Sequence, residues 1–189
     1  MPDISPSEGS RPTHSLPKHQ KAPGRTGAGV FVLKFVALMG LYYVLADTVP
    51  FDRILNRCLE WNAAASNGLL DVLGFGTQAT GTRIHSASFA INVRRGCDAF
   101  EPVWFFSSGV LAFPAAWRRR AMGILAGALA IFAANILRIS SLFVVGSRWA
   151  RGFETLHLEV WPAALILLAV GLWVGWIRWA GRPGRHATA

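Results

Sequence analysis

Three residues in separate parts of the chain have side chains that together could catalyse acyl transfer: Cys97, Arg138 and His157. A cysteine thiolate can attack a carbonyl carbon, an imidazole can move the proton, and a guanidinium can stabilise the oxyanion that forms. The cysteine lies in "RRGCDAFEPVWFF", Arg94 to Phe106, where cations and carboxylates adjoin an aromatic run. Nearby cations favour the reactive thiolate, which sets this cysteine apart from a purely structural one.

Each of the three residues also has a structural interpretation. Cysteine often packs as a small buried hydrophobe, and His157, in "ETLHLEVWP", could be a polar residue at the membrane interface. A charge inside a transmembrane helix costs at least roughly 2.5 to 3.5 kcal/mol, so Arg138 is a functional hypothesis by default. Its structural alternative is an ion pair with one of three carboxylates: Glu101, Glu154 or Glu159.

Neighbouring polar residues would support the three. Asn135 and Ser141 are three residues to either side of Arg138 and share its helix face, from which they would orient the guanidinium. Around the cysteine, the predicted supporting or substrate-binding side chains are Arg95, Asp98 and Glu101.

The elements that must position these residues are membrane helices. The chain has 189 residues, enough for one domain, and 52% of them are hydrophobic against 15% charged, which is typical of a membrane protein. A spanning helix needs roughly 20 apolar residues. An all-α polytopic protein with about four spans is therefore predicted, the second of them short: Val30–Val49, Pro102–Trp117, Ala121–Val145 and Val160–Ala180.

The orientation follows from the basic residues. With both termini cytoplasmic, the inner segments hold 11 basic and two acidic residues, and the outer segments hold seven basic and eight acidic ones. The positive-inside rule therefore favours this topology. It predicts a disordered basic cytoplasmic tail over residues 1–29, a membrane domain over 30–180 and a short cytoplasmic tail over 181–189.

The long outer loop between the first two spans has structure of its own. Apolar residues at mostly helical spacing between Phe51 and Phe75 predict one or two amphipathic helices on the outer leaflet or against the bundle. Alternation over residues 88–93 predicts a short hairpin that leads into Cys97. Arg138 lies 17 residues past Ala121, roughly 26 Å along the helix, so it reaches the same outer interface.

The order of Cys97, "NILRISSLFVVG" (Asn135 to Gly146) and "FETLHLEVWP" (Phe153 to Pro162) resembles the exosortase/archaeosortase family of multi-pass cysteine transpeptidases. "GCDAFEP" and the small number of spans are most similar to the small exosortase H subgroup. Larger exosortases have about twice as many spans and usually show Cys-Ser-Gly where this chain has Cys97-Asp98-Ala99. The resemblance implies that Cys97 is the nucleophile, Arg138 the essential arginine and His157 the histidine.

The resemblance also implies a function. A membrane-embedded cysteine protease or transpeptidase would cleave the C-terminal sorting signals of secreted proteins at the periplasmic face of the bacterial inner membrane. The family's substrates share a short motif, a transmembrane helix and a basic cluster, and an unknown acceptor takes the acyl group. The expected partners are this signal, the lipid bilayer and the acceptor. No cofactor or metal is expected, because the sequence lacks their motifs. No nucleic acid is expected either, because the basic residues fall into short groups between apolar stretches and form no single patch.

Two other classes of protein fit part of the sequence. A four-span thiol–disulfide oxidoreductase would use Cys58 and Cys97, although 39 positions separate them and redox pairs are usually close together. A non-catalytic membrane assembly protein would have Arg138 as a purely structural charge.

Overall fold

A computed structural model describes residues 25–181 of the chain. The predicted tails over 1–24 and 182–189 lie outside the described residues, and 25–29 already belong to the first helix. The structure is mostly helical, with one small sheet. The elements in chain order are α1 (Arg25–Ala46), α2 (Val49–Val72), β1 (Gln78–Thr80), β2 (Arg83–His85), β3 (Ala90–Asn92), α3 (Phe100–Ala112), α4 (Trp117–Arg148), α5 (Ala150–Thr155), a π-helix (Leu156–Val160) and α6 (Trp161–Ala180).

Within residues 25–181, three helical segments are long and apolar enough to cross a membrane: Gly27–Ala46, Trp117–Arg148 and Arg151–Ala180. The protein is therefore a polytopic membrane protein. The predicted second span corresponds to α3, which has only 13 residues and ends at Ala112. Pro114 accounts for this end, because a residue before proline is driven out of the helical conformation, and Phe113 is extended (φ −78°, ψ 138°).

The short helix α3 packs among α1, α4 and α6. Contacts between the long helices show which of their ends lie together. Phe31 of α1 packs on Trp173 of α6, with ring centroids 5.7 Å apart. The Arg119 guanidinium donates to the Ala180 carbonyl, and Trp176 Nε1 donates to the Arg119 carbonyl at 3.0 Å. The start of α1, the start of α4 and the end of α6 therefore share one end of the bundle, here called the arginine end.

The opposite end, here called the sheet end, carries α2 and the strands. The buried residues of α2 recur every three or four positions and form one face, and this face packs on α4: Leu55, Leu59, Asn62, Ala63, Ser66 and Leu70. Of the two predicted locations for this amphipathic segment, the structure shows packing against the bundle.

The sheet has three antiparallel strands in the order β1-β2-β3. Ile84 pairs with Ala79 on one side and with Ile91 on the other, and it is fully buried. The predicted hairpin thus gains a further strand, β1. This strand was not predictable from the sequence, because its three residues show no apolar alternation. The sheet and α2 share a core with the second half of α4, through Val93, Ile139 and Phe143.

Candidate active site

The cysteine lies in a tight turn between β3 and α3. The Cys97 amide donates to the Arg94 carbonyl at 2.9 Å. Two residues of the turn have left-handed backbone, Gly96 (φ +85°) and Ala99 (φ +62°), and the latter is the one non-glycine residue between 25 and 181 with positive φ. Such a conformation is unfavourable for a residue with a Cβ, and it persists only where the surroundings fix the backbone. Something must therefore hold this turn.

Buried side chains hold the turn by its carbonyl groups. The oxygens of residues 96, 97 and 98 each accept one hydrogen bond from a different side chain. Arg138 Nη1 donates to the first at 3.1 Å, Asn135 Nδ2 to the second at 2.7 Å, and Asn62 Nδ2 to the third at 3.2 Å. We call these three side chains the carbonyl clamp. Since α4 supplies two of them and α2 the third, helix packing determines where the thiol lies.

The two asparagines of the clamp also bind one another. Asn135 Nδ2 donates to Asn62 Oδ1 at 3.0 Å, and Asn62 Nδ2 donates a second bond to the Cys58 carbonyl at 2.8 Å. Asn135 is fully buried and Asn62 is 4% exposed. Buried amides of this kind are stable only when they are hydrogen-bonded. The pair therefore couples the cysteine turn to both helices.

Arg138 is 7% exposed and has no carboxylate partner within ion-pair distance in the described part of the chain. The predicted structural alternative, a pair with Glu101, Glu154 or Glu159, is not formed in the structure. Its Nε is buried without a hydrogen-bond partner. A guanidinium offers five N–H donors, so Arg138 can hold the turn through Nη1 and keep further donors for another acceptor.

His157 lies on the π-helix, where the Trp161 amide donates to the Leu156 carbonyl, five residues back. Such turns occur frequently at functional sites. The imidazole stacks on Phe153, with ring centroids 5.7 Å apart and an interplanar angle of 17°. Arg138 is close enough to act on it electrostatically, and His157 Nδ1 is buried without a hydrogen-bond partner.

The thiol and the imidazole are at the same end of the bundle but are not hydrogen-bonded to each other. Between residues 25 and 181, the Cys97 side chain makes no hydrogen bond. Catalytic hydrogen bonds are often long or poorly aligned in enzymes without substrate and shorten when it binds. The structure thus brings Cys97, Arg138 and His157 to the sheet end. A hydrogen bond between the Cys97 thiol and the His157 imidazole would have to form when substrate binds.

Ser141 acts on the backbone of Arg138. Its Oγ donates to the Arg138 carbonyl at 2.9 Å and accepts a hydrogen bond from Trp161 Nε1 at 2.9 Å. The predicted contact with the guanidinium is replaced by this link between α4 and the start of α6. Because Trp161 directly follows the π-helix, Ser141 ties the helix that carries Arg138 to the segment that carries His157.

The other predicted supporting residues, Arg95, Asp98 and Glu101, each contact a different partner. Arg95 forms a partly exposed ion pair with Asp52 of α2. Asp98 is buried, and its Oδ1 accepts a hydrogen bond from the Phe100 amide at 3.0 Å. Burial raises the pKa of Asp98, and the Phe100 hydrogen bond opposes this shift. Glu101 accepts a hydrogen bond from the Tyr43 hydroxyl at 2.9 Å.

A groove of about 570 Å³ adjoins Arg138 and Gly96. Its other walls come from α1, α3 and α6, and they are apolar apart from Tyr43 and Glu101. Ile166 is 64% exposed and Phe105 is 41% exposed, so the groove opens toward the surroundings of the bundle. We call it the α1–α6 groove. A volume of this size is within the range of ligand-binding clefts.

The model of one protein family, the transmembrane exosortase, matches residues 24–174. The chain belongs to the transmembrane exosortase family. No curated protein and no solved structure matches it. The exosortase match spans every part of the site, from α1 through the cysteine turn and α4 to α6. The family suggests a membrane enzyme that acts in protein sorting.

One site residue of this exosortase was missed in the sequence. Asn62 lies on the apolar face of α2, between Leu59 and Leu70. A polar amide on that face was the available signal, because buried polar groups need partners. Its partner is a backbone carbonyl 36 positions away, and spacing along the chain cannot show such a contact.

The two cysteines of this exosortase are both free thiols. Cys58 is half-buried on α2, and burial, together with the negative charge of Asp98, raises its pKa. A thiol with a raised pKa is a poor nucleophile at neutral pH because little of it is thiolate. Cys58 is therefore better suited to packing than to redox exchange with Cys97.

Proposed function

We propose that this protein is a membrane-embedded cysteine peptidase or transpeptidase of the exosortase H type. It cleaves the C-terminal sorting signals of secreted proteins at the periplasmic face of the bacterial inner membrane. The observation that carries the proposal is the position of Arg138. This nearly buried cation has no carboxylate partner in residues 25–181, and it reaches the carbonyl next to the cysteine. A cation placed in this way suits an oxyanion that forms only during the reaction.

The proposal includes a four-span topology with the arginine end in the cytoplasm. The helix α3 is about 20 Å long at 1.5 Å per residue, and residues 113–116, which begin and end with extended backbone, add at most roughly 13 Å at 3.3 Å each. Together they match a hydrocarbon core of about 30 Å. The arginine end carries Arg118, Arg119 and Arg120, as expected for a cytoplasmic face. The sheet end and the site would then face the periplasm.

The reaction begins with proton transfer from the Cys97 thiol to the His157 imidazole. The thiolate attacks the scissile carbonyl carbon and forms a C–S bond, and the carbonyl oxygen becomes an oxyanion that Arg138 stabilises. The oxyanion then re-forms the carbonyl, the C–N bond breaks, and His157 gives its proton to the leaving amine. A thioester on Cys97 and a free C-terminal peptide result.

The second half of the reaction releases the acyl group. Water or an amine attacks the thioester carbonyl, His157 removes a proton from the attacking group, and the C–S bond breaks to return the Cys97 thiolate. Water as the acceptor gives proteolysis, and an amine gives transpeptidation. The apolar α1–α6 groove suits the apolar segment that follows the cleaved bond, since it opens beside Arg138 and Gly96.

The decisive experiment is co-expression with a secreted reporter that ends in a C-terminal sorting signal encoded in the same genome. The wild-type protein should shorten the reporter, and Cys97→Ala should leave it full length although the variant is inserted normally. Cys58→Ala is the matched control and should process the reporter. A thioester between Cys97 and the reporter, trapped at low pH and cleaved by hydroxylamine, would identify the nucleophile. Normal processing by Cys97→Ala would end the proposal.

The topology has an independent test. Fusions after Lys21 and after Ala187 should show activity with a reporter that works only in the cytoplasm. Fusions near Gly76 and Arg151 should show activity with a reporter that works only in the periplasm. A periplasmic C-terminus would place Cys97 and His157 on opposite sides of the membrane, which the reaction does not permit.

A further inference from the structure

Strand β3 has a free edge. The Val93 amide donates to the Thr82 carbonyl, and the Ser86 amide donates to the Phe89 carbonyl, both at 2.8 Å. Because bonded and non-bonded pairs alternate in an antiparallel ladder, Ile91 must also direct its N–H and C=O toward β2. The N–H and C=O of Ala90 and Asn92 then point away from the sheet. Within residues 25–181 no group binds them.

A cavity of about 500 Å³ runs along this edge. Residues 89–92 and Arg94 form one wall, and Gly146 and Phe153 form the other. Ala90 and Asn92 are exposed to it, while Phe89 is half-buried. The two residues whose N–H and C=O point away from the sheet, Ala90 and Asn92, are thus among those that line this cavity.

The cavity adjoins the catalytic residues on one side. Phe153 in its wall is the ring on which His157 stacks. Five residues after Asn92 the same chain reaches Cys97, and beyond the cysteine turn lies the α1–α6 groove, which Gly96 and Arg138 help to line. Two cavities thus flank the cysteine, one along a strand edge and one among the apolar helices.

We propose that the free edge of β3 binds the extended polypeptide segment that precedes the scissile bond, as an added strand parallel to β3. This inference rests on the proposed function. The apolar segment after the cleaved bond occupies the α1–α6 groove, so the segment before it must approach from the other side. Since β3 itself runs toward Cys97, a substrate chain with this polarity runs parallel to it. Main-chain hydrogen bonds to Ala90 and Asn92 supply affinity, and the Phe89 and Phe153 side chains contact alternate residues of the substrate.

The first test removes one main-chain donor. Proline at position 90 eliminates the outward N–H, and an edge strand tolerates proline where its N–H faces away from the ladder. We expect Ala90→Pro to lower kcat/KM for the sorting-signal reporter about tenfold, mainly through KM, which corresponds to roughly 1.4 kcal/mol. Ala87→Pro, in the turn before β3, is the matched control and should stay within twofold of wild type. Equal activity of the two variants would contradict the proposal.

The second test does not depend on whether the proline variant folds. In the full-length Cys97→Ala protein, a photo-crosslinking phenylalanine analogue replaces Asn92 on the free edge or Gln78 on β1, the opposite edge of the sheet. We expect light to join the reporter to position 92 and not to position 78. Peptide mapping should place the crosslink within the residues that precede the cleavage site. A crosslink from position 92 to a second copy of the chain, or equal crosslinking from both edges, would overturn the proposal.

The two proposals fail in different ways. If the wild-type protein leaves the reporter intact, the proposed function is wrong. If the wild-type protein cleaves it and neither the Ala90→Pro loss nor the position 92 crosslink is found, the cysteine chemistry stands and the substrate binds elsewhere.

Discussion

The two ends of the helix bundle bury different kinds of side chain. At the arginine end the core is apolar, with Phe106, Val110 and Ile131 packed beside Trp176. At the sheet end the interior contains Asn62, Asp98, Asn135 and Arg138 in addition to apolar residues.

This difference shows at which end stability alone can explain the choice of buried side chains. Close packing of aromatic rings on glycines accounts for the arginine end: a Cβ on Gly123 would lie 2.1 Å from Trp176. Packing does not account for the sheet end, where the buried polar side chains of Asn62, Asn135 and Arg138 hold the backbone carbonyls of the cysteine turn. Buried atoms without a hydrogen-bond partner occur at both ends, for example Arg138 Nε at the sheet end and Arg120 Nε at the arginine end, so they do not distinguish the two. We therefore infer that the reaction takes place at the sheet end and that the arginine end stabilises the fold.

Replacement of His157 should lower the reaction rate the most and change the stability little, which is the behaviour expected of the sheet end. His157→Ala removes the group that we propose moves the proton to and from sulfur, so processing should fall about a hundred- to ten-thousandfold. The melting temperature should remain near the wild-type value because the ring is only partly buried. Reporter processing by purified protein in nanodiscs measures the first quantity and a thermal melt the second. A large fall in melting temperature with little change in rate would assign His157 to structure.

Substitution of Arg138 by lysine distinguishes charge from geometry. A lysine preserves the positive charge but not the flat, five-donor guanidinium. Loss of an oxyanion donor typically costs about a hundred- to a thousandfold in rate, so Arg138→Lys should process the reporter at well under a tenth of the wild-type rate while inserting normally. Single-turnover kinetics would measure acylation directly. Near-full activity of the lysine variant would show that only a point charge is needed.

Loss of Asn62 from the carbonyl clamp should affect both rate and stability. Asn62→Ala leaves the Asp98 carbonyl without a partner and removes one of the two hydrogen bonds of Asn135 Nδ2, which costs about 1 to 3 kcal/mol. We expect a lower melting temperature and a roughly tenfold slower acylation, because the cysteine turn loses one of its three supports. Asn56→Ala is the control, since Asn56 is exposed on the same helix and binds only Asp52. Equal behaviour of the two variants would remove Asn62 from the site.

At the arginine end, a substitution should change stability and leave the chemistry intact. A Cβ on Gly127 would lie 2.0 Å from the buried Phe106 ring, so Gly127→Ala should destabilise the protein by about 1 to 3 kcal/mol. The folded fraction should retain the wild-type rate. Gly171→Ala serves as the control, because nothing lies within 4 Å of its Cβ position. A slower reaction of fully folded Gly127→Ala at 25 °C would contradict the inference that the arginine end affects stability alone.

The smallest effect is expected at Cys58. Its raised pKa leaves little thiolate at pH 7, since a thiol ionises only as the pH approaches its pKa. Cys58→Ala should therefore process the reporter within about twofold of wild type. In a variant that keeps only Cys58, a small maleimide should label this thiol slowly at pH 7 and faster as the pH rises. Inactivity of Cys58→Ala equal to that of Cys97→Ala would instead point to a redox pair.

The sequence was sufficient to predict the membrane helices because apolar length is a local property. It placed α1, α4 and α6 and expected the amphipathic helix that became α2. The extent of α3 was not predictable from hydropathy, since Pro114 ends the helix while the apolar residues continue. Cys97, Arg138 and His157 stood out because charged and reactive side chains are rare in such segments. Asn62 and the contact of Ser141 with a carbonyl did not stand out, because those roles depend on backbone groups brought near by folding.

The orientation of His157 depends on the number of residues in the π-helix at Leu156–Val160. Each residue of an α-helix turns the chain by about 100°. Deletion of one residue within this wide turn would restore ordinary helix and rotate everything before it, including Phe153, relative to α6. The direction in which the imidazole faces is thus encoded in the number of residues between Thr155 and Trp161 as much as in their identity. A shortened chain could keep Cys97, Arg138 and His157 and still turn the imidazole away from the cysteine turn.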